Sequence, residues 1–381
     1  MTASELPRWT VAAGDFVTTG GMDAANHALA SYLARVGRDV CLVAHRVDPA
    51  LAALGGVRVR AVPRPLGSHL LGFPLLARAA AREAVARGGV ALANGGNFAA
   101  AATWLHYVHA AYRPRVEGQP LRRLLQRAAA ARARRDERRV AGRARVLVAN
   151  SALTARHAVE LLGADPAAVH VVYYGADSAR FRPPTPEERA RARRALGVDA
   201  GTPVLAFVGA LGDRRKGFDT LFDAFVRLVR GDPGWDAVLL VAGAGGELDA
   251  WRRRARAEGV EGRIRFLGFQ PDVLPLLHAS DALVAPTRYE AYGLAVQEAL
   301  CTGLPALVAR AAGVAERIPS PLGALLAADP DDVDELAERL RVWRSGMERF
   351  RADALSLSAT LRAWTWDHMA ARIVDILEDG V

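Results

Sequence analysis

In the stretch RYEAYGLAVQEAL, residues 288–300, Glu290 and Glu298 stand eight apart with Gly293 between them. Two carboxylates can grip hydroxyl groups, and a glycine between them lets backbone approach a ligand closely. The preceding DALVAP (281–286) reads as a buried strand, and a helix is expected from Leu294. The first turn of a helix offers N–H groups without intrahelical partners and the positive end of a dipole, which suits a phosphate. Glu298 lies about one turn into that helix, and Glu290 projects from the loop before it. The arrangement suits a ligand that is both phosphorylated and rich in hydroxyls, such as a nucleotide sugar. The plain alternative is two solvent-exposed glutamates near a helix start, where negative charge is favoured anyway.

Four further segments carry chemistry. FVGALGDRRKGFDTLFDAF (207–225) places Arg214, Arg215 and Lys216 after a strand. Arginine presents a fork to phosphate and lysine a point charge; a solvated basic loop is the alternative. VAGAGGELDAW (241–251) has the form G-x-G-G after a strand, without the full dinucleotide-binding pattern. TTGGMDAAN (18–26) sets Gly20 and Gly21 between the first strand and the first helix, as a ligand approach or as a turn. TWLHYVHAAYRP holds His106 and His109, which would face opposite sides of a strand over 102–109, with the residue at its end pointing toward a cleft. No third ligand at metal spacing accompanies them, so no metal site is expected.

These residues need elements to hold them. In the first half, short apolar runs at 9–16, 40–45, 57–62, 90–94, 102–109, 146–150 and 169–174 alternate with helical segments that include 24–37 and 69–88. The pattern predicts parallel sheets with helices on both faces. It pauses over 183–203, a proline-rich and charged stretch expected to be a linker. Strands then return at 204–210, 237–243, 264–269, 282–286 and 305–309. The reading is two doubly wound domains, 1–182 and 204–363, with ligand sites at strand carboxyl ends and in a cleft between domains. A final helix within 364–381 is expected to pack back on the first domain.

With 381 residues, 51% hydrophobic and 24% charged, the chain suits two globular domains. Cys41 and Cys301 lie in apolar segments and suit buried thiols in a reducing compartment. No apolar run reaches the ~18 residues of a membrane span, and the first residues lack a signal-peptide core. A cytoplasmic protein is expected, peripheral on the inner face of the plasma membrane if its basic segment docks there. Between Arg113 and Arg145 twelve arginines face three acids, so this one segment matches the net charge of +9 of the whole chain. Within it, 121–145 is expected to be helical, with Leu121, Leu124, Leu125, Ala128 and Ala131 on one stripe and arginines on the rest. It reads either as an ordinary amphipathic helix or as a surface drawn to anionic lipid. Nucleic acid fits poorly, because no aromatics interleave the arginines.

Taken in order, GG after the first strand, the His-bearing strand, VLVANSALTARHAVELLGADPAAVHVVYYGADSARFRP, GALGDRRKG, LVAGAGG, FLGF and E-x7-E resemble the retaining glycosyltransferases of GT-B fold, the large group 1 or family 4 type. The resemblance covers nearly the whole chain and is strongest over 146–330. It implies two Rossmann-like domains facing each other across a cleft. It implies that Glu290 hydrogen-bonds the donor sugar, that Gly293 and Leu294 offer backbone N–H groups, and that Glu298 binds the ribose hydroxyls. Lys216 would neutralise the diphosphate, residues around Gly268 would meet the base, and Gly20 and Gly21 would line the diphosphate. His109, better placed than His106, would contact the sugar near the reacting carbon. Three positions depart from the pattern. Ala210 stands where an arginine is usual, leaving Arg214 or Arg215 to supply the charge; Tyr174 stands for an asparagine; and 94–97 reads NGGN.

The activity implied is metal-independent transfer of a hexose from a nucleotide-diphosphate sugar to a hydroxyl, with retention and no cofactor, in envelope glycan or glycolipid synthesis. The acceptor, a sugar or a lipid-linked molecule, is left open. One rival is a non-catalytic module of the same fold that binds a nucleotide sugar or a membrane surface. The other is an NAD-dependent enzyme built on the VAGAGG turn, which the missing acidic ribose contact disfavours.

Overall fold

The computed structural model describes residues 6–95, 98, 100–113 and 120–380. Two compact units result: Met1–Gly175 with Thr365–Val381, and Ala176–Trp364.

The first unit is built on the strands β1 (Trp9–Ala12), β2 (Asp15–Phe16), β3 (Val40–Ala44), β4 (Arg46–Val47), β5 (Val57–Ala61), β6 (Val90–Asn94), β7 (Ala102–Leu105), β8 (Val146–Ala149) and β9 (Val169–Val171). Its helices are α1 (Gly21–Arg35), α2 (Pro49–Ala52), α3 (His69–Arg87), α4 (Pro120–Ala141) and α5 (Ala152–Leu162). The main sheet runs β5-β3-β1-β6-β7-β8-β9 and every pairing in it is parallel. The strands WTVA, VCLVA and VLVA are buried throughout, as a sheet covered on both faces requires.

The second unit begins with α6 (Pro186–Ala195) and continues through β10 (Val204–Val208), α7 (Phe218–Gly231), β11 (Val238–Ala242), α8 (Leu248–Ala257), β12 (Ile264–Gly268), α9 (Leu274–Ala279) and β13 (Ala282–Ala285). Then come α10 (Leu294–Cys301), β14 (Ala306–Ala309), α11 (Ser320–Gly323), β15 (Leu326–Ala327), α12 (Val333–Ser345) and α13 (Met347–Ala363). The sheet order is β12-β11-β10-β13-β14-β15, again parallel. Phe218, Leu221, Phe222 and Phe225 of α7 are all buried, with Phe218 5.0 Å from the rings of Phe207 and Trp251.

The last helix, α14 (Trp366–Gly380), belongs to the first unit and packs along α1. Arg38 grips Glu378 at 2.9 and 2.7 Å, and the indole of Trp9 donates to the same carboxylate at 3.1 Å.

Residues 183–203, read from sequence as a linker, contain α6 and lie within the second unit. The helix starts on a capping box, in which Thr185 accepts from the Glu188 N–H and Glu188 reaches back to the Thr185 N–H, with Pro186 as first helical residue. Arg189 and the buried Arg193 both reach Asp281, at 2.5 and 3.4 Å, so this charged stretch is fastened to the start of β13.

Candidate active site

The second sheet reverses direction of growth between β10 and β13, which are neighbours although two strands lie between them in sequence. Ligands of open α/β sheets bind at the carboxyl ends of the strands at such a point. The loops leaving these two strands carry Arg215 with Lys216, and Glu290.

After β10, Arg214–Lys216 form a single 3-10 turn closed by Gly217 at φ 70°. A Cβ on Gly217 would stand 1.9 Å from the carbonyl oxygen of Pro286, so the two loops touch through backbone and only glycine fits. The contact continues in hydrogen bonds from the Arg288 N–H and the Thr287 hydroxyl to the Arg215 carbonyl, each 2.8 Å. Lys216 Nζ lies 2.5 Å from Glu290 Oε2, and Arg215 donates to the same oxygen at 3.0 Å. Both cations and the carboxylate are partly buried, with 19–27% of each side chain exposed. The trio carries one net positive charge at a half-open surface.

The Glu290 loop is pinned from the other side. Gly313 N–H donates to the Glu290 carbonyl at 2.9 Å and Val314 N–H to the Tyr292 carbonyl at 2.7 Å. Gly293 caps α10 at φ 113°, with no side chain bonded to the first N–H groups of the helix. Its missing Cβ would meet the Val314 side chain at 3.0 Å. Leu294 therefore opens the helix beside Glu290, with its N–H among those lacking an intrahelical acceptor.

Glu298 lies one turn along α10, half-buried, its carboxylate without a hydrogen-bonded partner among the described residues. Burial pushes its carboxyl up to about 7; Arg180 pulls it down, while Asp177 and Asp272 add to the rise. A carboxylate with unsatisfied acceptor capacity in this setting is suited to hydroxyl donors. Gly268 ends β12 on the same edge of the sheet at φ 72°, with open space where a Cβ would be. Next to it Phe269 is 74% exposed, a large aromatic that the sequence reading passed over.

Arg214 and Arg215, left as alternatives by the sequence, separate here. Arg214 points to Asp219 at 3.4 Å and Glu247 at 3.6 Å, whereas Arg215 joins Glu290. The VAGAGG turn packs on the neighbouring loop: a Cβ on Gly243 would lie 1.9 Å from the Gly209 carbonyl oxygen, and one on Gly245 1.7 Å from that of Leu211. Those glycines serve backbone contact within the fold.

In the first unit, Gly20 caps α1 at φ 86° and Gly21 opens it, directly after the β1 and β2 segment. The loop NGGN falls partly outside the described residues. The histidines correct the strand expected over 102–109, because β7 stops at Leu105 and neither histidine lies on it. His106 is buried against Trp104, 4.3 Å between ring centroids, and its Nδ1 meets the Tyr174 hydroxyl. Burial holds its imidazole down to about 3, so it stays neutral. Tyr174 also accepts from Asn150 Nδ2 at 3.2 Å, which gives this departure from the family pattern a structural role in closing a buried polar network. His109 lies in the following turn, 49% exposed, with its ring and its backbone N–H both on Glu137 of α4.

The apolar stripe read on α4 is described in part. Leu124 is 65% exposed, Ala128 and Ala131 are exposed, and the side chains of Leu121 and Leu125 lie outside the described residues. Among its described side chains, the buried ones are Glu137, Val140 and Ala141, near the carboxyl end where the helix packs on α5. Arg113, Arg134, Arg135 and Arg138 line a cavity of about 420 Å³ there. No helix of the described residues is long and apolar enough to cross a membrane.

Residues 202–343 match the family model Glycosyl transferases group 1, and residues 19–180 match Glycosyltransferase Family 4. The chain is 33% identical over 246 residues to a D-inositol 3-phosphate glycosyltransferase of Nocardia farcinica, a match covering 63% of this chain and 53% of that protein. It is 30% identical over 256 residues to a GDP-mannose-dependent monoacylated alpha-(1-6)-phosphatidylinositol monomannoside mannosyltransferase of Corynebacterium glutamicum, covering 64% and 65%. The chain spans about half the length of the inositol phosphate glycosyltransferases it matches, 53%, 44% and 58% of three of them. The crystal structure of WaaG, a glycosyltransferase involved in lipopolysaccharide biosynthesis, superposes with a TM-score of 0.77 at 19% identity, over 98% of this chain and 100% of that one. The chain thus carries, in order, a glycosyltransferase family 4 domain and a glycosyl transferases group 1 domain on the GT-B fold.

Proposed function

We propose that this protein transfers a hexose from a nucleotide-diphosphate sugar to a hydroxyl acceptor, with retention of anomeric configuration. The observation that carries the reading is the meeting of Lys216, Arg215 and Glu290 beside the uncapped, Gly293-led start of α10. The two cations and the helix start receive the charge that develops on the departing diphosphate. Glu290 orients the sugar hydroxyls and is not cast as a covalent nucleophile. Glu298 takes the ribose hydroxyls, and the base lies by Gly268 and Phe269. His109 meets the sugar near the reacting carbon. The acceptor oxygen forms its bond to the anomeric carbon on the face from which the diphosphate leaves, and the leaving phosphate takes the acceptor proton. With these cations in place no metal is required.

A lipid-linked or inositol phosphate acceptor is favoured by the names of the relatives and by α4. Exposed Leu124 and a row of exposed arginines suit an anionic lipid surface. Co-sedimentation with phosphatidylglycerol vesicles at low salt should fall when Arg132, Arg134, Arg135, Arg138 and Arg139 are neutralised together. Unchanged binding removes this part of the proposal.

The transfer itself is tested with UDP-glucose and GDP-mannose, each offered with inositol phosphate or phosphatidylinositol vesicles in the presence of a chelator. Retention predicts an α-glycoside by proton NMR from either α-linked donor. A β-product, or turnover that returns only with a divalent metal, refutes the corresponding step.

A further inference from the structure

Glu137 lies on the arginine-rich helix α4 with only 3% of its side chain exposed. Both of its oxygens serve one residue. Oε2 accepts from the backbone N–H of His109 at 2.9 Å, and Oε1 meets Nδ1 of the His109 ring. The ring is 49% exposed and is flanked by Tyr107, edge-on at 4.9 Å between centroids. A carboxylate has no hydrogen to give, so both contacts need a donor opposite. Nδ1 therefore carries a proton, and in the neutral ring Nε2 is left as the acceptor. For anchoring a turn alone, a buried carboxylate is a costly choice, since a neutral amide would also satisfy the His109 N–H. What only the carboxylate does is accept twice.

We infer that Glu137 is a positioning residue that fixes the His109 ring and its tautomer, so that Nε2 accepts a hydrogen bond from a hydroxyl of the glycosyl donor. The inference rests on the proposed function, in which His109 meets the donor sugar. It also assigns the arginine-rich helix a second task besides its charged face. The same element that presents arginines to a surface holds the site histidine from behind.

Glu137→Gln keeps the shape and inverts the chemistry. Its carbonyl still accepts from the His109 N–H, but its amide then donates to Nδ1, which moves the ring proton to Nε2. In the full-length protein, ring 15N shifts recorded above the ordinary histidine titration range read the tautomer directly. The parent is expected to show protonated Nδ1, and Glu137→Gln protonated Nε2. Hydrolysis of UDP-glucose or GDP-mannose, whichever the parent turns over, should lose at least about tenfold in kcat with little change in KM, as losses of an orienting partner do. Glu137→Asp keeps two acceptors and should retain the parent tautomer and recover part of the rate, which a folding defect would not do. A parent with protonated Nε2, or a Glu137→Gln variant with parental kcat while His109→Ala is impaired, overturns the inference and leaves the functional proposal standing. Parental turnover in His109→Ala removes the histidine from the site and overturns the inference with it. If the parent turns over neither donor, the functional proposal fails on that result, and the 15N shifts alone decide whether Glu137 sets the ring proton.

Discussion

Glu298→Gln should make the protein more stable and less able to bind its donor. In the folded chain burial holds the Glu298 carboxyl at about 7, against an ordinary value of 4.5. The folded state therefore binds this proton more tightly than the unfolded chain does. Between those two values the folded state holds more protons, so stability falls as pH rises from about 4.5 to about 7 and stays low above it. The displacement corresponds to about 3 kcal/mol at most, and partial exposure to water brings the expected loss to roughly 1–3 kcal/mol. Glutamine has no proton to lose. The stability difference, variant minus parent, should grow by about 1–2 kcal/mol from pH ~5 to pH ~8, with the other titrating groups common to both proteins cancelling. Urea unfolding of the two full-length proteins across that range measures it, at the transition assigned to the second unit. A difference that stays flat with pH refutes the view that a half-buried carboxylate without a hydrogen-bonded partner is held there at a cost. Donor hydroxyls that donate to Glu298 favour its ionised form, so nucleotide-sugar binding near pH ~6 should also release a proton, seen as a buffer-dependent binding enthalpy.

Glu290→Gln should raise affinity for a free nucleoside diphosphate while abolishing most turnover, because Arg215 and Lys216 are no longer partly neutralised; titration calorimetry beside a hydrolysis assay separates the two effects. Lys216→Ala should lower kcat by roughly 100-fold, the scale of losing one charge-stabilising donor, measured with the preferred donor at saturation. Gly217→Ala places a methyl into the Pro286 carbonyl in a left-handed backbone, and a loss of more than about 2 kcal/mol in stability is expected by denaturant titration. Tyr174→Phe strips the buried His106 and Asn150 of a partner and should cost about 1–3 kcal/mol, with donor affinity unchanged in the same preparation.

The parallel sheets were legible in sequence because runs such as VLLVA and ALVAP are too short for helices and apolar on both faces. The loops that carry Lys216 and Glu290 were legible because glycine and charge gather at strand ends, and the switch point of the sheet brings the two residues together. What failed depended on distant partners. The strand over 102–109 looked continuous by residue type, but it ends at Leu105 where His106 turns in to meet Tyr174. The proline-rich stretch 183–203 reads as a linker until Asp281 supplies the counter-charge for Arg189 and Arg193. The stripe over 121–131 leaves open which part of the helix meets the fold; Val140 and Ala141, further along it, are the apolar residues buried there. Glu137 looked like one acid among many arginines, since nothing local reveals that it reaches back 28 residues to His109.

The proposed reaction requires the second unit to hold a nucleotide-diphosphate sugar between Glu298 and the Lys216–Glu290 cluster. It is tested most directly by donor binding across UDP-, GDP-, ADP- and dTDP-sugars in the presence of a chelator, with the parent and Glu298→Ala side by side. One preferred donor is expected, with an affinity that falls at least about tenfold in the variant, the weight of a lost hydrogen bond to a charged group. Binding of no donor by the parent, or equal binding by both proteins, would contradict it.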